Sequence, residues 1–461
     1  MLLAWQTGIV KVLEDSQVSP PPGLVQTTTV PLTFFDIYWI NCCPVQFLFF
    51  FEIPYPTLHF TQTTLPNLKT SLSLALKHFF PLAGSIIFPS PPQQPYILYS
   101  EGDFVPSIVA ESTADFSHLV GNHEGTVGEL QALVRGLPRS PVSKGCKQQP
   151  AMAIQVTVFP NSGISIGITF SHMVVDGRVF THFMKSWTVI CKSKSDLISQ
   201  GESLPIYNRD LISDPGGIAS IFMKDASEWE DLSSIPLQKL RITTVINRSQ
   251  IEILKNWVKR KSTEESPLNP LRISTFIVTC AYMWVCLIKS QQTEMDDNTD
   301  HNVSHFVFAA DLSDRLKIPA TYFGNCLEPL FAEAKKGELL GETGILVAAK
   351  PVGREIMELE REALRGAERW VLRAKEISQS GGHQVNVAGS PKLRWYELDF
   401  GWGRTKKTEV GDIGSDGLIS IVESRDEEGG IEFGIEFGLA LSKDESERFS
   451  AAFKEGLLTL S

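Results

Sequence analysis

His172 and Asp176 are the residues whose types and spacing most directly indicate chemistry. They lie in the segment 163–177, GISIGITFSHMVVDG, where a run typical of a β-strand ends at Ser171 and Gly177 follows Asp176. A strand end can hold a side chain rigidly at the edge of a cavity, and histidine takes up and returns a proton near neutral pH. An acidic residue before a glycine that permits a sharp turn can shape the bend that orients the imidazole. The pattern predicts acid–base chemistry at His172, although an H-x-x-x-D pair alone is also common as a purely structural feature.

A predicted hairpin and a predicted helix position this histidine. Apolar runs over 153–159 and 164–170 flank a Pro-Asn-Ser-Gly turn, which is typical of two antiparallel strands, and the second strand delivers His172. After Gly177, apolar residues recur with helical spacing to about Ile190. We therefore expect His172 in a short turn between a strand and an amphipathic helix.

Two further compact motifs could belong to a site. DFGWG at 399–403 follows a predicted strand over 393–400, and its plain interpretation is a structural turn. YFGNC at 322–326 is an aromatic-glycine-asparagine turn. A metal-dependent hydrolase would use His172 and Asp176 as ligands, but no His-rich motif supplies the remaining ligands that zinc needs. We therefore predict no metal site.

The periodicity also predicts elements farther from these motifs. They are helices over 65–80, 249–258, 274–288 and 352–374 and a final helix capped by Ser442, strands over 9–18, 306–311, 418–423 and 431–441, and a hairpin turn at 426–430. Strands and helices are mixed in both halves without regular alternation, which favours mixed-sheet α/β layers.

The motifs recur in order with other blocks and together resemble the plant BAHD family of acyl-CoA-dependent acyltransferases. The blocks run from residue 10 to residue 403, and a tail ESRDEEGGIEFGIEFGL also fits. They are VKVLEDSQVSPPPG, PLTFFDIYWI, PNLKTSLSLALKHFFPLAG, YNRDLISDPGG, STFIVTCAYMWVC, YFGNC and SPKLRWYELDFGWG. YFGNC together with the N-terminal block is similar to the branch that acylates sugars on flavonoids and other phenolic glycosides.

The resemblance implies an α/β fold of two chloramphenicol-acetyltransferase-like domains with a tunnel at their interface. We expect an N-terminal domain over 1–200 that carries the H-x-x-x-D motif, a crossover linker over 201–221, and a C-terminal domain over 222–461 that carries YFGNC and DFGWG. Acyl-CoA would enter the tunnel from one side and the acceptor alcohol from the other. A monomer is the family precedent.

The resemblance also implies the reaction. His172 would be the general base that deprotonates the acceptor hydroxyl, the alkoxide would attack the thioester carbonyl, and the CoA thiolate would leave after His172 returns the proton. The transfer would be direct, without an acyl-enzyme, and the sequence has no G-x-S-x-G nucleophile elbow.

The resemblance implies structural roles for two carboxylates. Asp176 would support the His172 loop through an ion pair with an arginine. Asp399 would pair with Arg315 in a structural motif that also contains Gly401, Trp402 and Gly403, and Trp402 could form a wall of the tunnel.

The acyl-CoA contacts are predicted from the charges of the ligand. Arg178 is the candidate for the free carboxylate of a malonyl group, because a guanidinium binds a carboxylate in a bidentate manner. Phosphates of CoA favour basic residues and helix N-termini. Ser274 and Thr275, which open a predicted helix after Arg272, resemble the family's contacts to pantetheine and phosphate, and Ser390 is the candidate oxyanion donor. Each is also explained as an ordinary cap or solvated side chain.

Composition excludes several classes of function. The chain has 461 residues, of which 43% are hydrophobic and 21% charged, and its net charge of −11 argues against binding to a nucleic-acid backbone. The most apolar stretch, 34–53, is interrupted by polar residues and proline, so we expect no membrane span. Seven cysteines without C-x-x-C spacing, and no secretory signal pattern, favour the cytosol.

The residues and the family resemblance together predict a cytosolic, metal-independent O-acyltransferase without a permanently bound cofactor. Malonyl-CoA is the favoured co-substrate, and a sugar hydroxyl of a phenolic or flavonoid/anthocyanin glucoside is the favoured acceptor. One alternative is a hydroxycinnamoyl-CoA (coumaroyl or caffeoyl) donor. Another, outside the enzyme class, is a catalytically inactive protein that binds CoA or a phenolic compound, and the intact His172 argues against it.

Overall fold

The chain folds into two compact units, each built from separate stretches of sequence. The computed structural model describes residues 10–90, 92–122, 124–138, 147–196, 204–226, 238–268, 270–292, 303–425 and 434–460. The first unit comprises Met1–Leu237, Asp311–Leu327 and Leu393–Ile413, and the second comprises Gln238–Ala310, Glu328–Lys392 and Gly414–Ser461. YFGNC and DFGWG therefore cluster with the first unit. The continuous domain boundaries and the tunnel expected from the sequence stay predictions.

Strands occur in both units of the described part of the chain. In chain order they are β1 Val10–Val18, β2 Thr28–Pro31, β3 Val45–Glu52, β4 Ser85–Phe88, β5 Tyr96–Tyr99, β6 Val105–Ser112, β7 Gly125–Thr126, β8 Lys147–Pro150, β9 Met152–Phe159, β10 Gly163–Phe170, β11 Leu240–Ile246, β12 Val303–Asp311, β13 Leu327–Lys335, β14 His383–Ala388, β15 Lys407–Gly411, β16 Leu418–Glu423 and β17 Ile435–Leu441.

The α-helices of the described residues range from one turn to five. They are α1 Phe34–Ile37, α2 Thr57–His59, α3 Leu65–His78, α4 Phe116–Val120, α5 Val127–Gln131, α6 Gly177–Ser193, α7 Ile218–Ala226, α8 Arg248–Glu265, α9 Thr275–Ser290, α10 Ser313–Leu316, α11 Lys336–Leu340, α12 Gly344–Arg361, α13 Trp370–Gln379 and α14 Lys443–Leu460. None of these helices is both long and apolar enough to cross a membrane.

The large sheet of the first unit places the predicted hairpin at its centre. Its order is β1-β6-β9-β10-β3-β15, with β10 antiparallel to both β9 and β3 and β6 parallel to β9. Every residue of β10 is buried. At Gly167 a Cβ would lie 2.3 Å from the carbonyl oxygen of Leu133, so only glycine allows the covering chain to approach. A second sheet of this unit has the order β2-β5-β4-β8.

The second unit has its own mixed sheet. Strands β13, β12, β14, β16, β17 and β11 follow one another in that order, with parallel pairing of β14 to β12 and β16 and antiparallel pairing of β17 to β16 and β11. Helix α9 is buried along almost its whole length, as its apolar sequence predicts. Mixed pairing in both units confirms the α/β class, and the hairpin over 153–170 is confirmed as β9–β10.

Two predicted elements are wrong. The helix expected over 352–374 is broken between α12 and α13, where Leu364 and Gly366 adopt left-handed φ angles of 65° and 67°. The backbone N–H of Leu364 there donates to the buried Glu328 carboxylate at 2.9 Å, a long-range contact that a helical pattern does not reveal. The strand expected over 393–400 is absent: one 3₁₀ turn ends at Leu393 and another spans Trp395–Glu397, with Arg394 between them at a left-handed φ of 56°. The predicted turn at 426–430 lies outside the described residues.

Candidate active site

His172 lies in a turn that the sheet fixes at one end and a helix fixes at the other. β10 ends two residues before it and α6 begins at Gly177. The N–H of Ser171 donates to the carbonyl oxygen of Ala151 at 3.0 Å, which ties the turn to the neighbouring chain segment. His172 is half-buried, and its imidazole stacks on the indole of Trp39, with ring centroids 3.8 Å apart and planes inclined by 13°.

Asp176 supports this turn from within the protein. Its carboxylate is buried and caps α6, with Oδ1 accepting from the N–H of Val179 at 2.9 Å and Oδ2 accepting from the N–H of Cys326 at 3.2 Å. Among the described residues it makes no salt bridge, so two backbone donors replace the expected ion pair with an arginine. Burial raises the pKa of Asp176 to about 6, although the charge of Arg178 and the two hydrogen bonds oppose that rise.

Asn325 of the YFGNC motif holds the catalytic candidate from the other side. Its Oδ1 lies 3.1 Å from His172 Nδ1, and its Nδ2 donates to the carbonyl oxygen of His172 and to Asp36 Oδ1, each at 2.9 Å. The N–H of Asn325 donates to the same Asp36 oxygen at 2.9 Å. The asparagine therefore links the histidine to a buried carboxylate.

A buried ion pair stands behind Asn325. Asp36 is fully buried, and its Oδ2 lies 3.6 Å from Arg209 Nη1. The same guanidinium nitrogen donates to the hydroxyl of Tyr322 at 2.9 Å. Burial disfavours the charged guanidinium, but Asp36 and Tyr322 raise the pKa of Arg209 above its ordinary value, so this cation is retained.

Sequence reasoning missed the roles of Asp36, Arg209 and Asn325. Each lies in a block that was used for the family resemblance alone: Asp36 in PLTFFDIYWI, Arg209 in YNRDLISDPGG and Asn325 in YFGNC. These residues are distant in sequence, so no local pattern shows that they meet. One signal could have pointed to two of them: Asp36 is a charged residue in an apolar block, and Arg209 is a charged residue in a turn-forming block.

The protein surroundings keep the His172 ring neutral. Loss of solvent around the imidazole lowers its pKa to about 4, while its hydrogen bonds and the charge of Asp36 raise it to a smaller extent. None of the described residues hydrogen-bonds to Nε2, whereas Nδ1 contacts Asn325. Nε2 is therefore the ring nitrogen left without a hydrogen bond in the described part of the chain.

Arg178 is engaged with the protein itself. Its Nη1 donates to the carbonyl oxygens of Pro319 and Ala320, at 3.2 and 2.7 Å, and Nη2 contacts the carbonyl oxygen of Tyr322 at 3.5 Å. Its Nε lies 3.9 Å from Asp311 Oδ2. The guanidinium thus binds the backbone that leads into YFGNC, and its role toward a malonyl carboxylate stays a prediction.

The partner predicted for Asp399 is wrong. Asp399 Oδ2 accepts from Lys192 Nζ at 2.7 Å, and Oδ1 accepts from the N–H groups of Gly401 and Gly403 at 2.8 and 3.1 Å. Arg315 is exposed on α10 and makes no salt bridge within the described part of the chain. Lys192 reaches Asp399 because the last turn of α6 lies beside the DFGWG loop.

The DFGWG loop is a tight turn with an aromatic interior. Gly401 and Gly403 have φ angles of 104° and 115°, a region that favours glycine. Trp402 stacks on Phe400, with centroids 5.3 Å apart, and meets Phe51 edge-on at 6.3 Å. This geometry agrees with a structural motif, whereas the role of Trp402 as a tunnel wall stays a prediction.

The other acyl-CoA candidates belong to the second unit. Ser274 caps α9, its hydroxyl accepting from the N–H of Ile277 at 3.2 Å, and Thr275 is the first residue of that helix. Arg272 is exposed and paired with Glu360. Ser390 is half-buried and accepts from the N–H of Lys392 at 3.3 Å. Their contacts with CoA stay predictions.

No group of three or more His, Cys, Asp or Glu side chains suited to a metal ion occurs in the part of the chain that the structure describes. His172 and Asp176 contact different atoms of the 325–326 segment. No disulfide joins the cysteines of the described ranges.

Known proteins are similar to this chain in sequence and in fold. The model of the family described as the transferase family matches residues 10–455. Coumaroyl-CoA:anthocyanidin 3-O-glucoside-6''-O-coumaroyltransferase 1 of Arabidopsis thaliana is 38% identical, covering 97% of each chain. Phenolic glucoside malonyltransferase 2 of Arabidopsis thaliana is 36% identical, over 97% of this chain and 99% of the relative. The crystal structure of vinorine synthase shares the fold, with a TM-score of 0.68 at 19% identity over 98% of both chains.

Proposed function

Because the chain belongs to the BAHD family of acyl-CoA-dependent acyltransferases, we propose that it transfers an acyl group from acyl-CoA to a sugar hydroxyl of a phenolic glycoside, with His172 as the general base. The observation that supports this role is the position of His172. Its ring is fixed by Asn325 on Nδ1 and by Trp39 on one face, and Nε2 has no partner among the described residues.

The proposed reaction balances around one proton. His172 Nε2 takes the proton of the acceptor hydroxyl while the oxygen attacks the thioester carbonyl carbon. The tetrahedral oxyanion collapses, the carbon–sulfur bond breaks, and Nε2–H returns the proton to the CoA sulfur. A positioned general base of this kind contributes about 10²–10⁴-fold to the rate.

A His172 pKa of about 4 ensures that the free enzyme holds a neutral base at neutral pH. The low value also makes the ring a weak base on its own. Negative charge that develops on the acceptor oxygen raises the pKa of the imidazolium as the proton arrives. Proton transfer and attack on the thioester are therefore expected to occur together.

The donor we favour is a hydroxycinnamoyl-CoA. The branch resemblance favours malonyl-CoA, with Arg178 as the candidate cation for its free carboxylate, but that guanidinium contacts backbone carbonyls. A relative that is 38% identical carries a coumaroyltransferase name. Malonyl-CoA remains the second candidate because a phenolic glucoside malonyltransferase is 36% identical.

Asp176 and Asp399 complete the proposal as structural residues. Asp176 fixes the turn that carries His172, and Asp399 closes the DFGWG loop against Lys192. Arg272, Ser274, Thr275 and Ser390 stay proposed contacts of CoA. A cytosolic location, a monomeric state and the lack of a resident cofactor or metal also stay proposals from the sequence.

Mass spectrometry of the reaction products tests the proposed function. The purified protein would meet phenolic and flavonoid glucosides, and the matching aglycones, with coumaroyl-CoA, malonyl-CoA and acetyl-CoA in parallel. We expect a coumaroyl increment on glucosides and none on aglycones. A malonyl increment alone would replace the favoured donor by the second candidate, and acylation of aglycones alone would contradict the sugar acceptor.

Arg178→Ala in the same assay separates the two interpretations of that residue. If the guanidinium only clamps backbone carbonyls, the variant loses activity by a similar factor with every donor. A KM that rises for malonyl-CoA but not for acetyl-CoA would instead show that Arg178 binds the malonyl carboxylate. Arg315→Ala, which removes an exposed arginine on α10, is the matched control. We expect it to leave the KM for both malonyl-CoA and acetyl-CoA unchanged.

A further inference from the structure

The orientation of the Asn325 amide is fixed by its partners. Nδ2 lies 2.9 Å from Asp36 Oδ1 and 2.9 Å from the carbonyl oxygen of His172. Both partners are acceptors, so the amide must present its two N–H donors to them. Rotating the amide by half a turn would place Oδ1 against two other oxygens and lose both hydrogen bonds. Oδ1 is therefore the atom that faces His172 Nδ1, at 3.1 Å.

This orientation dictates the tautomer of His172. An amide oxygen only accepts hydrogen bonds, so Nδ1 of the imidazole must carry the proton that it donates. A neutral imidazole has one protonated nitrogen, which leaves a lone pair on Nε2. None of the described residues competes for that lone pair by hydrogen bonding.

The asparagine is itself held in place by buried charge. Asp36 accepts from the N–H and the hydroxyl of Thr33, at 2.8 and 2.9 Å, as well as from the N–H and Nδ2 of Asn325. Arg209 lies on the far side of the carboxylate, at 3.6 Å. Gly324 has a φ of 145°, which turns the chain so that both the backbone and the side chain of Asn325 reach Asp36. Asn325 itself is fully buried.

We infer that Asn325 is a positioning residue that fixes His172 in the Nδ1–H tautomer, so that Nε2 is the basic nitrogen, and that the Asp36–Arg209 pair fixes the Asn325 amide. This inference rests on the proposed function, since it explains why Nε2 is the nitrogen that acts as the base in that reaction. The neutral amide orients the imidazole through a hydrogen bond and places no negative charge beside it. A carboxylate at the same position would raise the pKa of the imidazole.

Nitrogen NMR of the histidine rings tests the tautomer directly. The protein would be labelled with ¹⁵N-histidine, and the His172 signals would be assigned by their loss in His172→Gln, since the chain has nine histidines. We expect the wild type to show a protonated Nδ1 and an unprotonated Nε2 at neutral pH. An Nε2–H tautomer in the wild type would overturn the inference without any variant and without any substrate.

Two substitutions at Asn325 supply the kinetic test. Asn325→Leu keeps the volume but removes the amide, and we expect a loss of the Nδ1–H preference and a fall in kcat of about 10²-fold or more. Asn325→Asp puts a carboxylate against Nδ1–H, and we expect the acidic limb of kcat/KM to move to higher pH. The inference would be overturned if Asn325→Asp lost activity without a shift in the acidic limb of its kcat/KM profile and Asn325→Leu kept the His172 tautomer of the wild type.

Asn67→Leu is the matched control, because it removes another inter-element amide at a distance from the histidine. Asn67 Nδ2 donates to the carbonyl oxygen and the Sγ of Cys191, at 3.0 and 3.3 Å. We expect this variant to leave the His172 tautomer and the pH profile unchanged. If His172→Gln stayed fully active, the proposed function of His172 would be wrong. The NMR experiment would still test the tautomer, because it needs neither catalysis nor substrate.

Discussion

In the proposed reaction, the protonation state of His172 sets the pH range over which the enzyme works. Its pKa is lowered from an ordinary 6.5 to about 4, mainly because the folded chain removes solvent from the ring. Protonation below that pKa removes the base, so kcat/KM for acyl transfer is expected to stay level from neutral pH down to about pH 5 and to fall below about pH 4.

The profile would be measured with stable acyl-CoA and glucoside substrates over that range, with circular dichroism at each pH to confirm that the protein stays folded. An acidic limb near the ordinary histidine pKa of 6.5 would show that the ring is solvated and would contradict the environment described for it. The same profile serves as the reference for the variants of Asn325.

At the scale of elements, the YFGNC turn depends on one glycine. A Cβ on Gly324 would lie 1.9 Å from Arg209 Nη1, and the φ of 145° is unfavourable for any other residue. Arg209 has little room to move because it is buried and contacts both Asp36 and Tyr322. We therefore expect Gly324→Ala to lower the free energy of unfolding by about 2 kcal/mol or more and to reduce activity.

Urea denaturation would measure that change, with Gly102→Ala as the control. Gly102 also has a positive φ, 92°, but a Cβ there meets no atom within 4 Å. Its substitution therefore carries backbone strain alone, which is expected to be about 1 kcal/mol. Equal shifts in the two variants would mean that the contact between position 324 and Arg209 does not constrain the turn.

Local periodicity was sufficient to predict the elements that carry His172. The 153–159 and 164–170 runs pair as β9 and β10, and Asp176 caps the helix that follows. These features depend on neighbours in sequence, because strand alternation, turn residues and helix caps are local effects. The position of His172 between strand and helix was therefore accessible without a structure.

Contacts between distant residues were not accessible in this way. The hydrogen bond from Asn325 to Asp36 spans 289 residues and that from Lys192 to Asp399 spans 207. The first was missed and the second was assigned to Arg315, because choosing a partner for a charge requires knowing which helix end packs beside which loop. The left-handed residues Leu364 and Arg394, which overturned two predicted elements, likewise take conformations that tertiary packing imposes.

At the scale of the whole molecule, family membership and the His172 site both support the same proposed activity, acyl transfer from acyl-CoA. The family match extends over residues 10–455, and the groups that orient His172 come from segments around residues 36, 209 and 325 of the first unit. Segments far apart in sequence are therefore needed to present one basic nitrogen, and the proposed reaction depends on that nitrogen more than on any other atom of the protein.

The most direct test compares product formation by the wild type and His172→Ala with coumaroyl-CoA and a phenolic glucoside, while calorimetry follows CoA binding. We predict that the variant binds CoA as the wild type does and forms product about 10²–10⁴-fold more slowly, because only the base is lost. Product formation within a few fold of the wild type, with CoA binding intact, would contradict the role of His172 as the general base.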